Sequence, residues 1–279
     1  MQEFILLSDT LGLSLLVDSI DHPKPPASTE GTVLGPYHTH DAQDISTGSS
    51  ISADPDGEPL LCLCTVKSTS GAPIQDAKID IWETDSHGVY DVQYEHYAGD
   101  KPDGRAVIRS DDEGVFWFKA IVPVPYCIPD DGPVGQMLRV LGRHPWRPSH
   151  MHFMFEKAGF DHLITYVFSH TRPSFLFALL RASRADSPSA LYLRGDPYET
   201  SDAVFGVKES LIVDLSTVSA EQAKKYDIKE GSKLLTYDFV LVTDEETKKL
   251  RDEEALKAME KLGREGMTII NGILVPDVD

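Results

Sequence analysis

The stretch Arg147-Pro148-Ser149-His150-Met151-His152-Phe153-Met154-Phe155 alternates with the two-residue period of a β-strand. On such a strand Met151, Phe153 and Phe155 share the face that packs inward, and His150 and His152 stand side by side on the other. Upstream, residues 59–67, 77–82, 104–110 and 114–122 form short apolar runs of the same kind. They are separated by turn chemistry, clearest in Asp54-Pro55-Asp56-Gly57 and Ser110-Asp111-Asp112-Glu113-Gly114. This rhythm predicts a mainly β protein whose central unit, residues 36–243, is a β-sandwich.

The two ends read differently. Residues 1–20 predict one amphipathic helix that buries Phe4, Ile5, Leu11, Leu15, Leu16 and Ile20. Acidic Glu3, Asp9 and Asp18 and the lack of a basic start argue against a signal peptide. The segment His22-Pro23-Lys24-Pro25-Pro26 cannot continue a helix, so a linker leads to a boundary near residue 35. Residues 244–265 are highly charged with sparse Leu250, Leu256 and Leu262, which predicts a solvated C-terminal helix within a tail of residues 244–279.

Composition excludes several function classes. With 279 residues and 41% hydrophobic content the chain can build its own core. A formal net charge of -19 repels phosphate backbones and anionic membrane surfaces, so nucleic acid and membranes are not expected partners. Cys62, Cys64 and Cys127 are odd in number and lack C-x-x-C spacing, which fits neither a disulfide framework nor a zinc site and suggests a reduced, cytoplasmic compartment.

His150 and His152 are candidate metal ligands, although a His-x-His pair is also compatible with ordinary core histidines. Tyr90 in His87-Gly88-Val89-Tyr90-Asp91 and Tyr126 in Val122-Pro123-Val124-Pro125-Tyr126 are loop tyrosines that sharpen the metal reading. His38 and His40 form a second pair in a polar loop and read as structural.

At these residues the sequence resembles the intradiol ring-cleavage dioxygenases, the catechol and hydroxyquinol 1,2-dioxygenases. The likeness runs through Leu34-Gly35-Pro36-Tyr37, Ile79-Asp80-Ile81-Trp82-Glu83-Thr84-Asp85, Asp131-Gly132-Pro133-Val134-Gly135, Leu141-Gly142-Arg143-His144-Pro145-Trp146 and Ser201-Asp202-Ala203-Val204-Phe205-Gly206-Val207-Lys208. It implies a non-haem ferric iron, Fe(III), held by Tyr90, Tyr126, His150 and His152. Phenolate oxygens suit a hard, highly charged ion and imidazoles complete the site. It also implies that Tyr126 leaves the metal and takes a substrate proton, and that Arg147 stabilises negative charge on the reacting ring carbon. Val33, Pro36, Tyr37 and Ala203 would line the substrate.

The implied partners are a small aromatic diol and dioxygen. The implied products are maleylacetate from hydroxyquinol, the first choice, or cis,cis-muconate from catechol. Two alternatives are weighed. Gly71-Ala72-Pro73-Ile74-Gln75-Asp76-Ala77 also suits a transthyretin-like or carboxypeptidase-regulatory-like binding module, which needs no such ligand set. An extradiol-type ferrous site would need two histidines and a carboxylate.

Two departures from the family pattern complete the expectations. Members carry several helices before the sandwich, so residues 1–35 read as the remnant of a dimerisation region, with a homodimer weakened accordingly. Residues 166–189 interrupt the pattern, because Thr165 joined to Ala190 would make one strand and turn. The codons permit splice signals at both ends, which predicts a retained intron rather than an evolved loop.

Overall fold

The computed structural model describes residues 3–95, 102–161, 189–263, 267–270 and 273–276. The expected strands form. One sheet has the order β10-β11-β1-β4, built from β1 (Pro59–Ser68), β4 (Val115–Ile121), β10 (Ser216–Thr217) and β11 (Lys233–Leu241). The other has the order β3-β2-β7-β8-β9, built from β2 (Lys78–Trp82), β3 (Arg105–Arg109), β7 (His150–Glu156), β8 (Ser189–Leu193) and β9 (Ile212–Val213). A two-stranded ribbon pairs β5 (Tyr126–Cys127) with β6 (Trp146–Arg147). The suspected insertion lies outside the described residues except for Ser189, which opens β8 and is fully buried.

Alternation makes the core. On β1, Leu60, Cys62, Cys64 and Val66 point between the sheets, while Leu61 faces a separate cluster with Val218 and Leu234. Phe116 and Phe118 of β4, Phe153 and Phe155 of β7 and Phe239 of β11 meet in the centre, with Phe153 and Phe239 centroids 4.9 Å apart. The aspartates of the predicted turns hold them: Asp54 Oδ1 accepts from the Asp56 N–H, and Asp111 Oδ1 accepts from the N–H groups of Glu113 and Val115. All three cysteines are free thiols. Among the described residues no helix is long and apolar enough to cross a membrane.

The N-terminal expectation needs correction. Instead of one helix there are two, α1 (Glu3–Thr10) and α2 (Leu13–Asp21), broken where Gly12 takes a left-handed φ of 73°. The buried positions are Leu6, Asp9, Thr10 and Asp18, whereas Phe4, Ile5, Leu11, Leu16 and Ile20 are exposed. Polar groups anchor this segment: the Thr10 hydroxyl donates to the Leu6 carbonyl, Ser14 donates to Asp9, and Arg143 donates to the Thr10 carbonyl. Periodicity identified an apolar face but not which way it turns.

At the other end the helix Asp244–Leu262 forms, capped by Thr243 with Glu246 returning to the cap. A hairpin of β12 (Met267–Ile270) and β13 (Ile273–Pro276) follows, which the charge pattern did not indicate.

Asp161 ties both ends to the sandwich. It accepts from Lys24 Nζ at 2.7 Å and from the Thr247 hydroxyl at 2.9 Å, with His22 Nδ1 at 3.5 Å. Burial alone would raise its pKa, but His22 and Lys24 outweigh it and hold the carboxyl well below the usual range. A carboxyl depressed in the folded state adds stability above its unfolded value of about 3.9, and that stability drains away as pH falls through the folded value. Asp161→Asn is therefore expected to cost about 2 kcal/mol at pH 7, with the difference from wild type shrinking below about pH 4. Urea midpoints at pH 7 and near pH 2 measure this, and an equal loss at both would contradict it.

Candidate active site

Strand register assembles the candidate residues. His150 and His152 project from one face of β7, and each faces an aromatic partner on an adjacent strand: Trp82 pairs with His152, and Tyr192 with His150. The Trp82 and His152 rings stack, with centroids 4.6 Å apart and planes 10° from parallel. His150 Nδ1 lies 2.7 Å from the Pro148 carbonyl oxygen, to which it donates, so its Nε2 keeps a lone pair. The two Nε2 atoms are 3.1 Å apart.

Tyr126 enters from β5, whose pairing with β6 sets it across from Arg147. Tyr90 ends the turn after β2, where Asp85 Oδ1 accepts from the N–H groups of His87 and Val89. The Tyr90 and Tyr126 rings meet edge to face at 5.3 Å, and Tyr126 lies 5.5 Å from the His150 ring. Arg147 Nη1 donates toward the Tyr126 hydroxyl at 3.3 Å and His150 Nε2 at 3.2 Å. None of these five side chains is more than 3% exposed.

Burial sets the electrostatics. It raises the Tyr90 phenol well above the ordinary tyrosine value, with Tyr126 adding to the shift, and it raises Tyr126 against the pull of Arg147. Burial and the Arg147 cation push His150 down to about 3, and burial with His150 pushes His152 well below the histidine range. At pH 7 both imidazoles are thus neutral and both phenols protonated until a cation takes their lone pairs.

The donor chemistry fits such a cation. Among the described residues the buried Tyr90 hydroxyl has no hydrogen-bond partner within normal distance, which is costly unless something else satisfies it. Two imidazole nitrogens only 3.1 Å apart also want a proton or a metal between them. Among the described residues no group of three or more His, Cys, Asp and Glu side chains is placed to hold a metal. The two-histidine, one-carboxylate arrangement lacks its carboxylate in that set.

The proposed substrate wall is partly assembled. Val33, Tyr37 and Ala203 are buried in the same apolar cluster as Tyr90 and Tyr126, and Tyr37 stacks on Tyr90 with centroids 4.6 Å apart. Pro36 is exposed, outside that cluster. His38 sits behind the site, bonded to Asp80 at 3.1 Å and edge-on to Trp82.

The Dioxygenase_C family model, described as a dioxygenase, matches residues 33–187. An intradiol ring-cleavage dioxygenase of Aspergillus niger, hqdA, is 63% identical over 279 residues, which are 100% of this chain and 76% of that one. The chain belongs to the intradiol ring-cleavage dioxygenases. A hydroxyquinol 1,2-dioxygenase of Rhizobium sp. is 41% identical across 86% of this dioxygenase and 74% of its own length. The solved structure of a hydroxyquinol 1,2-dioxygenase from Pseudomonas putida superposes with a TM-score of 0.72 at 38% identity, covering 88% of this dioxygenase and 77% of that chain. The binding-module alternative is not favoured.

Sequence reasoning missed three contributors to this dioxygenase's site. Trp82, Tyr192 and Asp202 stood inside quoted runs or beside them without a role. What gives them one is strand pairing and a loop return, neither of which leaves a local signal.

Proposed function

We propose that Tyr90, Tyr126, His150 and His152 hold a ferric ion, and that the enzyme opens hydroxyquinol, with catechol as second substrate, between the hydroxyl-bearing carbons using dioxygen. The observation carrying this reading is the buried convergence of two phenols and two neutral imidazoles beside the Arg147 cation. When bound, the ion would lower the phenol pKa values and draw electron density from a bound diol so that dioxygen can attack its ring. Tyr126, as tyrosinate, takes a proton from the diol. The Nη1 edge of Arg147 faces the same point and stabilises negative charge on the ring carbon. Val33, Tyr37 and Ala203 keep water from the ring, and Pro36 lines the substrate's outer edge.

The substrate order rests on relatives named for hydroxyquinol at 41% and 38% identity. Steady-state rates with hydroxyquinol, catechol and protocatechuate test it. The expected result is kcat/KM highest for hydroxyquinol, giving maleylacetate, with catechol giving cis,cis-muconate more slowly. An iron-loaded, red protein that cleaves none of the three would sink the assignment.

A further inference from the structure

Arg147 has five N–H donors, and every one has a target. Nε donates to Asp202 Oδ1 at 3.1 Å, and Nη2 donates to Asp202 Oδ2 at 3.3 Å and to the Tyr192 hydroxyl at 3.0 Å. Only Nη1 faces Tyr126 and His150. The contacts on the opposite side close on themselves. The Tyr192 hydroxyl lies 3.3 Å from the Thr32 hydroxyl, which donates to the Gly206 carbonyl at 3.0 Å. The Gly206 N–H returns to Asp202 Oδ2 at 2.9 Å, and the Val204 N–H donates to Asp202 Oδ1 at 3.2 Å.

The loop is shaped for this closure. Phe205 takes a left-handed φ of 59°, an unfavourable backbone for a large side chain that persists only where its surroundings enforce it. Gly206 follows, and a Cβ there would lie 2.6 Å from the Tyr192 hydroxyl, 2.8 Å from Arg147 Nη2 and 2.9 Å from the Thr32 hydroxyl. Any other residue would push apart the atoms that grip the guanidinium.

We propose that Asp202, Tyr192, Thr32 and Gly206 are positioning residues that lock the Arg147 guanidinium from behind and so aim its Nη1 edge at the reacting ring. A planar fork rotated out of this frame keeps its charge but loses its direction, so the ring of contacts governs rate more than binding. The inference rests on the role given to Arg147 above.

Tyr192→Phe, Thr32→Val and Gly206→Ala test it alongside Arg147→Ala. Tyr192→Phe and Gly206→Ala are expected to lower kcat about 10- to 100-fold with KM and iron content within about twofold of wild type. Thr32→Val, one bond further out, is expected to lower kcat less. The metal-free protein supplies a readout independent of turnover: the Arg147 Nη nitrogens should give separate, slowly exchanging NMR signals in wild type that coalesce in Tyr192→Phe. Asp202→Asn should resemble Tyr192→Phe, and should the former fail to fold, the other three variants carry the test. Wild-type kcat in Tyr192→Phe and Gly206→Ala, with Arg147→Ala impaired, would overturn the positioning role alone. Full kcat in Arg147→Ala would overturn the role of Arg147 and this inference with it.

Discussion

Tyr90→Phe is expected to strip the protein of most of its iron and red colour while leaving the metal-free form at least as stable as metal-free wild type. Among the described residues the hydroxyl it removes has no hydrogen-bond partner, so its loss relieves a desolvation penalty of about 1 to 3 kcal/mol in the metal-free protein. In the loaded protein the same change deletes an anionic ligand. His152→Ala should lose the iron as well, but it also opens space beneath the Trp82 ring that stacks on it, and so destabilises both forms. Affinity should fall by more than the about 10- to 100-fold that outer-sphere changes alone produce. Iron per chain, visible absorbance and melting temperatures with and without metal read the outcome. A red, iron-replete Tyr90→Phe protein would refute the ligand assignment.

Arg147→Ala should keep iron and colour yet lose about 10²- to 10³-fold in kcat, the scale seen when a fixed donor is deleted from a preorganised site. The variant has a second defect that must be separated from the first. Asp202 is 5% exposed, and although burial favours its neutral form, Arg147 keeps it ionised, so removing the arginine strands a buried charge. Breaking such a pair costs about 3 to 5 kcal/mol of stability. Adding Asp202→Asn to Arg147→Ala should restore part of the melting temperature and none of the rate. Recovery of turnover in the double variant would mean that the arginine serves folding rather than chemistry.

Much of the sandwich was legible because a strand announces itself locally. Residues 114–122 and 77–82 alternate or run apolar between turn residues, and β4 and β2 form there within one residue at each end. The C-terminal helix was readable from its charge pattern, but its cap, Thr243 with Glu246 three residues on, is a local signal that went unread. The hairpin after it had a signal that went unread: Met267-Thr268-Ile269-Ile270 and Ile273-Leu274-Val275-Pro276 flank Asn271-Gly272, the dipeptide most favoured in tight hairpin turns. At the N-terminus the local signal misled, since helical spacing of apolar residues is compatible with a face turned inward or outward. Arg143 and the other polar anchors around Asp9 and Thr10 settled the direction.

By itself the sequence determined that His150 and His152 share one face of one strand, because side chains two residues apart on a strand must point the same way. Only the tertiary structure decided what stands around them. Trp82 lies against His152 and Tyr192 beside His150 because β2 and β8 pair with β7 in one register, and a slip of one residue would turn every side chain to the opposite face. Arg147 meets Tyr126 across the β5-β6 ribbon, and Asp202 reaches Arg147 from 55 residues further along the chain. Period and turn chemistry are properties of neighbours in sequence, whereas pairing and the closure of a hydrogen-bonded ring depend on which distant segments the shared core brings together.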